Sequence, residues 1–130
     1  MFKRLFIALI MSCSLLGLFG QSKQEFRSVD VKEFAATMTD TTYLVLDVRT
    51  PAEYAEGHIP GTDFNIDMRS SNFTQEALAK LPKERPVALY CRSGNRSKTA
   101  AKILAQNGYK IVELGSGILG WTEAGMAVEK

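Results

Sequence analysis

Residues 87–107 read VALYCRSGNRSKTAAKILAQN, and this stretch decides the fold. Its first four residues form a continuous apolar run, as a buried parallel strand requires. Over residues 98–107 the apolar side chains repeat at helical spacing, and Gly108 follows where a left-handed helix cap belongs. The stretch therefore predicts a buried strand, a polar loop and a helix.

The rest of the chain repeats this alternation of strand and helix signals. Residues 43–46 form a second buried apolar run, which ends at Asp47. Further strands are predicted at 27–29 (an edge strand), 64–66 and 111–114, and helices after the caps Asp30 and Thr50 and at 74–81 and 118–124. Strands separated by helices predict an α/β domain, with a central parallel sheet flanked by helices on both faces.

Composition limits the chain to one domain and a few classes of function. It has 130 residues, of which 45% are hydrophobic and 23% charged, and this is typical of a globular protein. The formal net charge of +2 gives no reason to expect a nucleic-acid partner, because phosphate binding needs clustered positive charge. Two cysteines and one histidine make a dedicated zinc site improbable, so no metal is expected.

Residues 1–22, MFKRLFIALIMSCSLLGLFGQS, predict a secretory signal peptide. Lys3 and Arg4 precede an apolar run, and small residues allow cleavage after Ser22. We therefore expect residues 23–130 to form an exported domain, located in the periplasm or cell envelope, without stable membrane insertion. An uncleaved anchor is less favoured because the run is short for a membrane span, which needs about 17–25 residues. Lipidation at Cys13 is a second alternative.

Removal of this segment leaves one cysteine, Cys91, and a domain without net charge. An exported domain with a single cysteine forms no internal disulfide, so its thiol is a candidate reactive group. The alternative is a buried cysteine that acts only as a small hydrophobe. The neighbouring residues favour the reactive group.

Cys91 directly follows the strand predicted at residues 87–90, and open α/β sheets bind ligands at the carboxyl ends of their strands. The loop leads into a helix N-terminus, whose free backbone N–H groups favour an anion. Arg92, Arg96 and Lys98 add positive charge, and Gly94 permits a tight turn. These features predict a cradle that stabilises a thiolate and holds an anionic substrate.

Three segments in order resemble the rhodanese-type sulfurtransferases. The loop Cys91-Arg92-Ser93-Gly94-Asn95-Arg96-Ser97 is similar to their active-site loop. The N-terminal signature of that family is matched by Asp47-Val48-Arg49, Glu53-Tyr54 and Gly57-His58-Ile59-Pro60-Gly61. The C-terminal pattern is matched by Gly108-Tyr109, Leu114, Gly117-Ile118, Gly120-Trp121 and Ala124-Gly125. The resemblance spans about residues 28–128 and implies a rhodanese-like domain over residues 23–130.

The resemblance implies a ping-pong sulfur transfer through a Cys91 persulfide. Thiosulfate or a similar donor would supply the sulfur, and a thiol or a protein would accept it. Arg92 and Arg96 would attract the donor's sulfonate end, and N–H groups of the loop would stabilise the persulfide. No metal or organic cofactor is implied, and we expect a monomer.

Two rival functions remain open. The first is a persulfide carrier or rhodanese-like module that binds a partner protein. The second, less favoured, is a rhodanese-fold phosphatase or arsenate reductase. Those enzymes resemble Cys-x5-Arg, whereas this chain has four residues between Cys91 and Arg96.

Several residues near the loop allow both a functional and a structural interpretation. Asp47 and Arg49 either line the cradle or form a buried ion pair that fixes it. Glu53 is a natural partner for Arg49, four residues earlier in the chain. His58 is interpreted as a structural loop residue, since an arginine-rich cradle ionises a thiol without a base. Lys98 is expected to be a solvated charge close to the cradle.

Overall fold

Five parallel strands form one sheet in the order β1-β5-β4-β2-β3. The computed structural model describes residues 25–130, so the predicted signal peptide and Cys13 lie outside the described residues. The strands are β1 (Arg27–Val29), β2 (Leu44–Asp47), β3 (Phe64–Asn65), β4 (Val87–Tyr90) and β5 (Ile111–Leu114). The three inner strands, β5, β4 and β2, are buried along their whole length, as the apolar runs of β2 and β4 predicted.

Helices cover both faces of the sheet, which confirms the predicted α/β class. They are α1 (Val31–Met38), α2 (Pro51–Glu56), α3 (Phe73–Lys80), α4 (Asn95–Gln106) and α5 (Gly117–Glu123). One core cluster joins the sheet to α3 and α4 through residues such as Leu89, Phe73 and Leu104. A second cluster, on the other face, includes Phe34 of α1 and Trp121 of α5.

The sequence correctly identified two helix caps. Asp30 accepts a hydrogen bond from the backbone N–H of Glu33 at 2.9 Å and so begins α1. Thr50 and Glu53 form a complete capping box at the start of α2, with Pro51 in the first helical turn. Because α2 starts just beyond β2, the cap at Thr50 fixes the direction in which the chain leaves the carboxyl end of that strand.

Helix α4 begins three residues before the predicted start at Lys98. Gly94 adopts a left-handed conformation, with φ +107°, and acts as the N-cap. Asn95, Arg96 and Ser97 therefore belong to the first turn of the helix rather than to a loop. The connection between β4 and α4 is thus only four residues long, and it brings the helix N-terminus directly up to Cys91.

Within residues 25–130, no helix combines the length and the apolar character that crossing a membrane requires.

Candidate active site

Cys91 lies at the carboxyl end of β4, where the sequence placed it. Its sulfur accepts a hydrogen bond from the backbone N–H of Gly94 at 3.1 Å. Only 1% of the residue is exposed, and it contacts the core cluster beneath α4. Burial alone would suit a structural cysteine, but a backbone N–H directed at the sulfur is an arrangement that stabilises a thiolate.

The turn after Cys91 is packed tightly against the connection between β5 and α5. A Cβ atom on Gly94 would lie 2.2 Å from the carbonyl oxygen of Gly115, and one on Gly117 would lie 2.2 Å from that of Arg92. The backbone N–H groups of Ile118 and Leu119 donate to the carbonyl oxygens of Cys91 and Arg92, at 2.9 and 3.1 Å. The C-terminal segment therefore holds the turn from behind.

The turn and the first turn of α4 offer backbone donors to a ligand. Among residues 25–130, no hydrogen-bond acceptor pairs with five of these N–H groups, those of Arg92, Ser93, Asn95, Arg96 and Ser97. The first N–H groups of any helix lack partners within the helix. Here they follow directly on the cysteine, so the site can receive negative charge next to its sulfur.

Arg96 is held by Glu53, which corrects the expectation that Glu53 pairs with Arg49. The guanidinium of Arg96 donates to both carboxylate oxygens of Glu53, at 2.8 and 2.9 Å. These hydrogen bonds lower the pKa of Glu53 to about 2. They also raise the pKa of Arg96, and the nearby charge of Cys91 raises it further. Glu53 thus engages two of the five guanidinium N–H groups of Arg96, in the helical turn that follows Cys91.

Asp47 and Arg49 form a buried ion pair, the second of the two predicted arrangements. Their side chains are 0% and 6% exposed, and Nη2 of Arg49 lies 2.7 Å from Oδ2 of Asp47. Nη2 of Arg49 also donates to the carbonyl oxygen of Gly57. Nδ2 of Asn65 donates to the backbone carbonyl oxygens of both Asp47 and Arg49. The pair therefore fixes the chain beyond β2, which lies beside β4 and Cys91.

The remaining predicted residues divide into exposed and buried groups. Arg92, Ser93 and Asn95 are exposed, and Arg92 forms no salt bridge with a carboxylate of the described chain. Ser97 is buried and donates to Glu113. Arg92 is therefore the cation of the loop that is open to an anionic ligand.

His58 is buried in a structural environment, as the sequence suggested. Its ring stacks on Tyr54 with 3.9 Å between the ring centroids, and Nδ1 lies 3.1 Å from the Tyr54 carbonyl oxygen. Nε2 faces Glu129 at 3.5 Å. Nδ1 of His58 thus contacts the end of α2, and Nε2 contacts the C-terminal segment.

Sequence reasoning missed Glu113, Gly115 and Gly117 as parts of the site. Glu113 is the one charged residue in the apolar strand β5, and this could have drawn attention to it. The expectation that Lys98 is a solvated charge was only partly correct, because its ammonium also lies 3.3 Å from a carboxylate oxygen of Glu113. Within residues 25–130, no group of three or more His, Cys, Asp or Glu side chains could hold a metal ion.

The Glu53–Arg96 pair predicts a specific acid sensitivity. The ordinary pKa of the carboxyl, 4.5, falls to about 2 in the folded protein. The ionised form is therefore favoured by folding, and its stabilisation is complete above pH 4.5 and lost as the pH falls towards 2. We expect Glu53→Gln to lose less stability than the wild type between about pH 5 and pH 2, measured by urea unfolding.

Glu56→Gln provides the matched control, because Glu56 is an exposed carboxylate on the same helix. It should lose as much stability as the wild type over that pH interval. Identical acid profiles for Glu53→Gln and the wild type would contradict the assignment.

Comparison with known proteins agrees with the geometry of the site. Residues 30–124 match the family described as the rhodanese-like domain. A sulfurtransferase of Allochromatium vinosum is 35% identical over 102 residues, which cover 77% of this chain and 92% of that protein. The chloroplastic rhodanese-like domain-containing protein 14 of Arabidopsis thaliana is 30% identical, with 82% of this chain and 66% of that protein covered.

Solved structures show the same fold. The crystal structure of a rhodanese-related protein from Thermoplasma volcanium superimposes with a TM-score of 0.69 at 34% identity. The match covers 80% of this chain and 98% of that protein.

Proposed function

The chain belongs to the rhodanese-like domain family, and on that basis we propose that it moves a sulfane sulfur from thiosulfate or a similar donor to a thiophilic acceptor through a persulfide on Cys91. The similarity to a sulfurtransferase, 35% identical and covered over 92% of its length, supports this activity. The observation that carries the proposal is the backbone N–H of Gly94, 3.1 Å from the cysteine sulfur, beside further N–H groups that no acceptor in the described part of the chain engages. Unpaired N–H groups occur at the start of any helix, but here they lie next to a cysteine sulfur, which supports a site for negatively charged sulfur.

The first half-reaction begins with the Cys91 thiolate. It attacks the outer sulfur of thiosulfate, a new S–S bond forms to Cys91, and the bond to the central sulfur breaks. Sulfite leaves with the electron pair, so no oxidant or reductant is consumed. The terminal sulfur of the persulfide carries the negative charge, and the N–H groups of the turn stabilise it.

The second half-reaction returns the enzyme to its starting state. An acceptor thiolate attacks the terminal sulfur of the persulfide, and the Cys91 thiolate leaves. Splitting the transfer into two displacements is the general advantage of covalent catalysis. Residues 1–22 support the further proposal that this cycle takes place in the cell envelope.

The two arginines of the turn have different roles in this proposal. Arg92 is exposed and without a carboxylate partner in residues 25–130, so it attracts the sulfonate end of the donor. Arg96 is bound by Glu53 and acts instead through its charge on the sulfur. The proposal thus assigns to Arg92 the donor contact that the resemblance implies for both arginines.

The proposal is tested by intact-mass measurement. The full chain, carrying Cys13→Ser so that Cys91 is its one thiol, is incubated with thiosulfate. We expect a mass gain of one sulfur atom and release of one equivalent of sulfite. Protein blocked with iodoacetamide is the control and should gain nothing. Absence of both sulfur and sulfite, or hydrolysis of an aryl phosphate instead, would overturn the proposal.

The kind of acceptor that takes sulfur from the persulfide distinguishes an enzyme from a carrier. Repeated turnover with small thiols or cyanide supports the enzyme. A persulfide that forms but is lost to no small acceptor supports the alternative function, a carrier that hands sulfur to a partner protein.

A further inference from the structure

A buried carboxylate lies behind the catalytic turn, on the strand that pairs with β4. Glu113 of β5 is 0% exposed, and its Oε2 atom accepts hydrogen bonds from Oγ of Ser97 and Nζ of Lys98. Its other oxygen, Oε1, has no hydrogen-bond partner among the described residues 25–130. Burial of an incompletely paired carboxylate is costly, and an apolar residue in this strand would avoid the cost. The arrangement therefore calls for a function beyond stability.

Lys98 connects that carboxylate to the catalytic turn. Its ammonium lies 3.3 Å from each of three oxygens, namely Oε2 of Glu113 and the carbonyl oxygens of Gly94 and Gly115. An ammonium has three N–H donors, and this set engages all of them. Although its side chain is 48% exposed, Lys98 is thus directed inward, towards the backbone, rather than towards a ligand.

Gly94 is the residue through which this contact reaches the sulfur. Its carbonyl oxygen is held by Lys98, and its N–H donates to Sγ of Cys91 at 3.1 Å. It has φ +107° and packs directly on the carbonyl of Gly115, which Lys98 also holds. Movement of the ammonium would release the carbonyl of Gly115 and leave that of Gly94 held only by the backbone N–H of Lys98, at 3.4 Å. The N–H of Gly94 would then be freer to rotate away from the sulfur.

We propose that Glu113, acting through Lys98, is a positioning residue that keeps the N–H of Gly94 directed at Sγ of the Cys91 thiolate, both when the thiolate attacks the donor and when it leaves the persulfide. This rests on the proposed function, because the persulfide belongs to that reaction. Neither side chain touches the donor. The carboxylate anchors the ammonium, the ammonium anchors Gly94, and Gly94 stabilises the charge on sulfur.

The direction in which Glu113→Met changes the alkylation rate of Cys91 distinguishes positioning from a direct electrostatic effect on the thiolate. Glu113→Met removes a negative charge near the sulfur while retaining an unbranched side chain. A through-space effect would stabilise the thiolate and accelerate its alkylation, since a nearby like charge disfavours ionisation. Loss of positioning would instead slow alkylation. We expect iodoacetamide to react several-fold more slowly at pH 7 with Glu113→Met than with the parent, both carrying Cys13→Ser.

The same variant should lower kcat of the sulfur transfer and leave KM for thiosulfate nearly unchanged. We expect kcat to fall about tenfold or more, because a misdirected donor N–H stabilises the developing charge poorly. KM for thiosulfate should stay within about twofold, since the group does not bind the donor. A rise in KM alone, or a lower thermal midpoint with unchanged kcat, would overturn the proposal.

Lys98→Met tests the second link in a half-exposed position that tolerates substitution, so it serves even where Glu113→Met folds poorly. It should lower kcat to a similar extent, and adding Glu113→Met to it should cause no further loss. Lys102→Met is the matched control, an exposed lysine one turn later on α4, and should behave as the parent.

Additive losses in the double variant, or faster alkylation of Glu113→Met, would refute the connection. Alkylation needs no sulfur donor, so the alkylation rates of Glu113→Met and its parent remain decisive even where the parent protein fails to take sulfur from thiosulfate. That failure would refute the proposed function alone.

Discussion

Replacement of Cys91 by serine is expected to abolish sulfur transfer completely. Serine lacks a nucleophile that ionises near neutral pH, and its hydroxyl forms no persulfide. In the Cys13→Ser background, Cys91→Ser should gain no sulfur from thiosulfate and should release sulfite at the rate of the buffer alone. The backbone N–H of Gly94 has an oxygen to contact in place of sulfur, so the turn itself should persist.

Circular dichroism and the thermal midpoint provide the control for this variant. Cys91 is 1% exposed, so a small change in the midpoint is expected from placing a hydroxyl there. Transfer that survives in a folded Cys91→Ser protein would exclude Cys91 as the sulfur carrier.

Removal of Asp47 is expected to cost more stability than any surface substitution. Arg49 would remain charged and 5% exposed, with its main carboxylate partner gone. Breaking a buried pair in this way costs about 3–5 kcal/mol. Urea unfolding of Asp47→Ala at pH 7 should show a loss of this size, with sulfur transfer impaired as the chain beyond β2 loosens.

Two further variants calibrate that measurement. Glu76→Gln breaks the exposed pair with Lys80 on α3 and should cost only about 0.3–0.5 kcal/mol. The double variant Asp47→Ala/Arg49→Met removes the stranded charge and should be more stable than Asp47→Ala alone. Equal costs for Asp47→Ala and Glu76→Gln would show that the buried pair contributes no more than a surface one.

The fold was largely predictable because its signals are local. The apolar runs of β2 and β4 mark buried strands, and Asp30 and Thr50 mark helix starts by hydrogen bonds to residues three positions away. The place of Cys91 follows from the end of an apolar run. None of these features depends on knowing which distant segments come together.

The details of the site were harder to predict because they depend on tertiary contacts. The early start of α4 follows from the left-handed Gly94 packing on Gly115, 21 positions away. Glu53 was assigned to Arg49 by helical spacing, yet Asp47 occupies Arg49, and the fold brings Arg96 to Glu53 across 43 positions. The single charge of Glu113 in an apolar strand is a local signal, but its contacts with Ser97 and Lys98 depend on how the strand packs against α4.

The capping box at Thr50 makes the cysteine turn dependent on a distant part of the chain. Oε1 of Glu53 accepts from the backbone N–H and hydroxyl of Thr50 as well as from Arg96. Residues 91–97 are therefore not sufficient by themselves. In another protein scaffold, the Arg96 guanidinium would lack the carboxylate that holds it here. A design that transfers this site to another protein must include the start of α2, with Thr50 and Glu53, as well as residues 91–97.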